Sequence, residues 1–252
     1  MPIQQGCPIV RAERLNSFAY SFLLSAGDLA RAAQPGQFVH IRCGDGLLLR
    51  RPISVCDVQG DQLRIVFEVR GEGTLWLSQR RAGEELDVLG PLGHGFDVTG
   101  DRLLLVGGGI GAPPMLYAAK AAPGRADVFL GFRDAGHAML LPDFEAVAAA
   151  VTVATDDGSL GHSGFITGPV EAALAGGNAY SAVLACGPKP LLAGVARISA
   201  RYGVPCQVSL EERMGCGVGA CLVCACKTAD GHYRHVCKHG PVFDAGEVDW
   251  NA

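Results

Sequence analysis

Arg102-Leu103-Leu104-Leu105-Val106 runs directly into Gly107-Gly108-Gly109-Ile110-Gly111-Ala112-Pro113-Pro114, and from there into an apolar, alanine-rich stretch over residues 115–122. An unbroken apolar run of this kind is what a strand buried on both faces of a parallel sheet requires. The glycines make the turn, and residues 115–122 are predicted helical. Strand, glycine loop and helix together bring backbone N–H groups at a helix N-terminus close to a pyrophosphate. The loop lacks the strict G-x-G-x-x-G spacing, so the fold assignment leans on the units that follow it.

Those units repeat the pattern. Residues 127–132, 151–155 and 179–185 read as further strands, and 191–202 as a helix. Strands alternating with helices give a doubly wound α/β parallel sheet, whose ligands sit beyond the strand carboxyl ends. Three segments fall at such ends: the loop with Gly107, Gly108, Gly109 and Gly111, then Thr155-Asp156-Asp157-Gly158, then Cys186-Gly187-Pro188. For Cys186 the plain alternative is a buried strand-end thiol. Selection of NADPH needs a basic cluster for the 2′-phosphate; Arg133 follows the second strand with Asp134 beside it, which favours NADH.

Upstream, the chain reads as short strands separated by turns. Residues 37–42 alternate after a Pro35-Gly36 turn signal, 63–70 alternate with Leu63, Ile65, Phe67 and Val69 on one face, and 17–24 and 85–89 are further candidates, the last ended by Gly90-Pro91. Many short strands at this spacing point to a small antiparallel β-barrel. Two stretches here carry possible chemistry. In Arg50-Arg51-Pro52-Ile53-Ser54, Arg51 offers a fork of donors suited to phosphate and Ser54 a hydroxyl, although an Arg-Pro pair at a strand end is commonly just a solvated edge. In Gly71-Glu72-Gly73-Thr74, a glycine-rich turn opening a helix presents free N–H groups to an anion, with Thr74 either capping the helix or meeting a phosphate oxygen.

Downstream, Cys216, Cys221, Cys224 and Cys237 are spaced C-x4-C-x2-C-x12-C. This is the plant-type ligand spacing for a [2Fe–2S] cluster. Gly215, Gly217, Gly219 and Ala220 let the loop curl tightly and turn N–H groups towards sulfur. Structural zinc is the main alternative, but zinc ribbons use two C-x2-C knuckles and only Cys221 and Cys224 form one. Cys226 is expected to be a packing thiol, since four ligands already complete the site.

The chain has 252 residues, a net charge of −4 and no basic block, so nucleic acid is not an expected partner. No apolar run of about 18 residues is present, and the first residues have neither the charged start nor the apolar core of a signal peptide. Ten cysteines without a secretion signal point to a reducing, cytoplasmic setting. His94, His137 and His162 have no ligand-spaced partner and are read as loop histidines.

The Arg51-Pro52-Ile53-Ser54 and Gly71-Glu72-Gly73-Thr74 stretches resemble the Arg-x-x-Ser motif and the helix start of the ferredoxin–NADP reductase superfamily. That resemblance implies FAD in the barrel, held by Arg51, Pro52, Ile53, Ser54, Gly73 and Thr74, with Val66, Phe67 and Glu68 lining the flavin. It also implies that the glycine loop and Cys186-Gly187-Pro188 flank the nicotinamide nucleotide. The tail, from Ser209-Leu210-Glu211-Glu212-Arg213-Met214 through the cysteines to Gly240-Pro241-Val242-Phe243, closely resembles the electron-transfer subunits of heteromeric, NAD-linked dihydroorotate dehydrogenases, over essentially the whole chain. The resemblance implies an FMN-containing catalytic partner subunit, a heterotetramer of two of each, and electrons passed through [2Fe–2S] and FAD to NAD in pyrimidine synthesis. It leaves no catalytic acid or base in this chain. A subunit of another NAD(P)H-linked complex, of sulfhydrogenase or transhydrogenase type, is the related alternative; a zinc-stapled binding module is the unrelated one. His239, Glu68 and Glu72 depart from the family pattern, with Arg70 on the same strand face as Glu68. The expected organisation is a multi-domain chain: a flavin β-barrel over 1–97, the nucleotide domain over 98–206 and an iron–sulfur module over 207–252.

Overall fold

The computed structural model describes residues 2–252. The N-terminal part holds β1 (Ile3–Arg14), β2 (Ala19–Ser25), helix α1 (Gly27–Ala32), β3 (Phe38–Ile41), β4 (Arg51–Gln59), β5 (Gln62–Glu68), helix α2 (Glu72–Ser78) and β6 (Glu85–Leu92). The six strands close into an antiparallel barrel in the order β1-β2-β5-β4-β3-β6. Phe22, Leu24, Val39, Ile41, Ile65, Phe67 and Val88 fill it.

Three features of the barrel differ from the sequence reading. β4 runs nine residues from Arg51, where the sequence shows only an Arg-Pro pair at a strand end. β1 was not anticipated, because its polar residues and Pro8 hide its alternation. It closes the barrel by pairing with β2 on one side and β6 on the other. Gly90-Pro91 does not end β6, which continues to Leu92. Pairing with β1 stops at Gly90, and the β3 ladder shifts register here, so the missing proline N–H breaks no ladder bond.

The second half holds β7 (Leu103–Gly108), α3 (Ala112–Ala121), β8 (Ala126–Phe132), α4 (Leu141–Glu145), β9 (Ala150–Thr155), β10 (His162–Ser163), α5 (Thr167–Ala175), β11 (Ala182–Cys186), α6 (Lys189–Arg201) and β12 (Cys206–Ser209). The tail adds a hairpin of β13 (Ala225–Lys227) and β14 (Tyr233–His235), helix α7 (Val236–His239) and β15 (Val242–Asp244). The large sheet runs β10-β9-β8-β7-β11-β12-β15, parallel except that β15 is antiparallel to β12. Chain order reverses between β7 and β11, which makes their carboxyl ends the switch point where doubly wound sheets bind ligands. The expected boundary at 97/98 falls between β6 and β7, and that at 206/207 falls inside β12.

The regions share their cores. Cys56 and Val66 of the barrel pack with Met115, Leu116 and Val128. Phe38 and Leu92 pack with Cys224, Val236, Cys237 and Val183 on the other face. Polar ties cross the same seam: Lys120 pairs with the buried Asp57, Arg64 with Asp143 at 2.8 Å, and the Tyr117 hydroxyl donates to the Ala33 carbonyl at 2.8 Å. The barrel therefore cannot swing freely against the sheet, and the cleft between them is preformed.

Candidate cluster and cofactor sites

The cysteine loop folds as a bowl of N–H donors around sulfur. The N–H groups of Val218 and Ala220 donate to Cys216 Sγ at 3.4 and 3.2 Å, and that of Cys216 to Cys221 Sγ at 3.4 Å. Gly219 N–H donates to Cys237 Sγ at 3.1 Å, and Cys237 N–H to Cys224 Sγ at 3.4 Å. Gly217 and Gly219 reach these positions at φ +74° and +81°, which β-carbon-bearing residues disfavour. Burial alone would raise the Cys216 thiol, but the backbone N–H groups of Val218, Ala220 and Cys221 bring it down to about 6. Cys237 moves the other way, pushed up to about 12 by burial and by neighbouring Cys224. The thiols thus pair as Cys216 with Cys221 and Cys224 with Cys237. Two such pairs match the two-iron ligand pattern of a [2Fe–2S] cluster. Cys226 stays outside: it sits on β13 opposite Arg234 and packs against the core.

The first cleft, of about 230 Å³, lies between barrel and sheet. It is lined by Pro52, Ile53, Ser54, Val66, Phe67, Glu68 and Thr74 from the barrel, and by Ile110 and Cys186 from the sheet. Apolar walls with a few hydroxyls and charges suit a flat aromatic ring with polar edges. Arg51 and Gly73 are not on its wall, but they meet behind it. A Cβ added to Gly73 would fall 2.2 Å from Arg51 Nε, so the arginine lies across the 71–74 turn. Thr74 is the third residue of α2, not its cap; its hydroxyl closes the turn by accepting from the Arg70 and Gly71 N–H groups at 2.8 and 3.2 Å. Glu68 is paired with Arg70 at 2.9 Å, which balances its charge at the cleft.

The second cleft, of about 620 Å³, opens at the switch point and is lined by Gly108, Gly109 and Pro188, with Arg133, Asp156, Phe165 and Glu171 further out. Gly107, Gly111 and Gly187 serve packing. A Cβ on Gly111 would lie 2.3 Å from the Cys186 carbonyl oxygen, one on Gly107 2.9 Å from Ala112 Cα, and one on Gly187 2.8 Å from Leu191 Cδ2. Cys186 ends β11 where the two clefts approach each other. Burial, with Glu211 adding to it, pushes its thiol up to about 12, so it remains a thiol at neutral pH.

Several wall residues escaped the sequence reading as site residues: Phe38, Arg70, Ser209, Leu210, Glu211 and Met214 in the first cleft, and Phe165, Thr167 and Arg197 in the second. They come from strands and loops distant in sequence, and no local pattern marks them. Glu211 is accessible through the open cleft, yet the surrounding walls raise its carboxyl; Arg70 opposes this and Glu68 adds to it. The loop histidines make ordinary contacts: His137 with Asp134 at 2.8 Å, His94 with the His239 carbonyl at 3.3 Å, and His162 exposed on β10.

The family described as the iron-sulfur cluster binding domain of dihydroorotate dehydrogenase B matches residues 211–249. A dihydroorotate dehydrogenase B (NAD(+)) electron transfer subunit of Caldanaerobacter subterraneus subsp. tengcongensis is 43% identical over 85% of this chain and 86% of its own. That of Geobacillus thermodenitrificans is 41% identical over 95% and 96%. Among solved structures, an NADH-dependent reduced ferredoxin-NADP oxidoreductase superposes with a TM-score of 0.87 at 29% identity, covering 97% of this chain and 90% of that one. A ferredoxin reductase of carbazole 1,9a-dioxygenase, at 24% identity and a TM-score of 0.69, shares the fold over 81% of this chain and 67% of its own. The chain belongs to the family of dihydroorotate dehydrogenase B (NAD(+)) electron transfer subunits.

Proposed function

We propose that this chain is the electron-transfer subunit of an NAD-linked dihydroorotate dehydrogenase. In this reading it receives electrons from a catalytic subunit that holds FMN and oxidises dihydroorotate, and delivers them to NAD through [2Fe–2S] and FAD. The supporting observation is the presence of three features in one chain: two thiol pairs cradled by N–H donors, a preformed barrel–sheet cleft walled by Cys186, and a switch-point cleft walled by Pro188, two residues further on. Bound FAD supplies the exchange between hydride chemistry at a nicotinamide and one-electron chemistry at an iron–sulfur centre.

The chain's own residues act by binding and orienting. Cys216, Cys221, Cys224 and Cys237 are the cluster ligands in this reading. Arg51 with the 71–74 turn, Gly73 and Thr74 included, holds the FAD diphosphate, while Pro52, Ile53, Ser54, Val66, Phe67 and Glu68 flank the flavin. Gly107, Gly108, Gly109, Gly111, Cys186, Gly187 and Pro188 shape the nicotinamide nucleotide site. The units 1–97, 98–206 and 207–252 are its flavin, nucleotide and cluster parts. Assembly is with two catalytic subunits per two of this chain, in the cytoplasm. Among the described residues no helix is long and apolar enough to cross a membrane, and all ten cysteines are free, as a reducing compartment leaves them.

The visible spectrum of anaerobically purified chain tests this. Flavin bands with added longer-wavelength absorbance, bleached by NADH, are the expected result. A colourless protein with stoichiometric zinc would overturn the function.

A further inference from the structure

His40 lies in the middle of β3, fully buried, and neither of its ring nitrogens has a hydrogen-bond partner among the described residues. A buried polar group left in this state carries its desolvation penalty with no compensating hydrogen bond. Its neighbours show where a partner would lie. Gly217 sits against the ring: a Cβ built there would be 2.6 Å from His40 Nδ1 and 3.2 Å from Cε1, with Leu92 Cδ1 the next atom. Gly217 directly follows Cys216, whose sulfur receives the Val218 and Ala220 N–H groups.

The strand also faces the flavin side. Phe38, two residues earlier and therefore on the same face, stands edge-on to the imidazole at 6.4 Å and lines the first cleft. The nearest guanidinium does not occupy the ring. Arg50 Nη1 reaches the His40 carbonyl at 3.4 Å, and both its terminal nitrogens are taken by Asp87 at 3.0 and 2.7 Å. A histidine ring carries at least one N–H donor in either protonation state, so His40 has a hydrogen to give.

We propose that His40 is a positioning residue of the iron–sulfur centre: its imidazole N–H donates into the Cys216 end of the cluster loop when the cluster is bound, fastening that loop to the strand that also walls the flavin cleft. This rests on the reading of Cys216, Cys221, Cys224 and Cys237 as cluster ligands. A donor here stabilises the additional negative charge of the reduced centre, because hydrogen bonding around a cluster tunes its potential. Losing the donor lowers that potential.

The test uses the full cluster-loaded chain as wild type, His40→Phe and His40→Asn. Phenylalanine keeps a ring without a donor; asparagine places an N–H near the position of Nδ1. The readouts are the midpoint potential of the cluster and the electron paramagnetic resonance spectrum of its reduced form. The expected result is a lower potential and shifted g values in His40→Phe, with both returned towards wild type in His40→Asn. An unmoved potential and spectrum in His40→Phe overturns the proposal, as does a His40→Asn variant displaced as far as His40→Phe. If His40→Phe takes up no cluster, His40→Asn decides alone: a wild-type potential supports the proposal and a shifted one overturns it. A wild-type chain that holds no [2Fe–2S] cluster removes the ligand reading itself, whereas a loaded wild type with an indifferent His40→Phe removes only the role of His40.

Discussion

Two glycine-rich loops dominate this molecule, and they use glycine for different reasons. In the cluster loop, Gly217 and Gly219 adopt positive φ so that successive N–H groups turn inward onto cysteine sulfur. In the nucleotide loop only Gly109 has positive φ, +53°, whereas Gly107 and Gly111 have ordinary φ and are small because backbone and side chains of α3, β8 and β11 press against them. The first loop is a donor shell made by backbone conformation; the second is a packing joint that brings β7, α3 and β11 close enough to form a switch point. A common composition therefore marks both sites without revealing what each glycine does.

The sharpest way to separate the loops is to remove sulfur from the first. Cys221→Ser is expected to abolish electron transfer between the partner and the FAD while NADH still reduces the FAD, because the nucleotide and flavin clefts do not include Cys221. Stopped-flow bleaching by NADH beside coupled turnover measures both; full coupled activity would refute the division. Gly111→Ala attacks the second loop. Its Cβ would meet the Cys186 carbonyl, so α3 or β11 must shift, with a loss of about 1–3 kcal/mol in urea unfolding and weaker NADH binding, but an unchanged cluster spectrum. Stability within a few tenths of wild type would show that the joint is looser than its distances imply.

Gly219→Ala is milder. It forces a β-carbon into positive φ, at about 1–2 kcal/mol, and crowds the Lys238 side chain rather than backbone. Faster cluster loss to a chelator, with NADH reduction of the flavin unchanged, is the expected signature. The smallest effect lies outside both loops. Arg50 donates to both Asp87 oxygens and holds its carboxyl below the usual range, against the opposing effect of partial burial. A depressed folded-state value stabilises above the unfolded pKa, and that contribution is lost as pH falls through the folded one. Wild type should therefore lose part of its unfolding free energy on acidification below about pH 4, and Asp87→Asn should flatten that acid limb without touching either loop.

Four of the parallel strands were legible because each contains an apolar run, as in 102–106 and 127–132; the two-residue β10 and four-residue β12 are too short to show one. The cleft walls were not. Glu211 and Met214 enter the flavin side only because the chain returns through β12, and β15 joins the large sheet from beyond the cysteines. β1 was invisible for a related reason: its polar outer face and Pro8 erase the alternation, and its pairing depends on β2 and β6 closing around it. Thr74 reads as a cap or a phosphate ligand; the structure places Gly71 at the N-cap and Thr74 three residues into the helix, its hydroxyl closing the turn.

The sequence by itself determined the local chemistry: four cysteines at cluster spacing, glycines where a loop must curl, and the alternation of strand and helix around a nucleotide loop. These depend on covalent reach and short-range backbone sterics, which act over a few residues. Only the tertiary structure decided that Arg51 lies across Gly73, that Cys186 walls one cleft while Pro188 walls the other, and that His40 is sealed beneath Gly217. Those contacts join residues tens to hundreds of positions apart, and burial of shared apolar cores, not sequence spacing, brings them together.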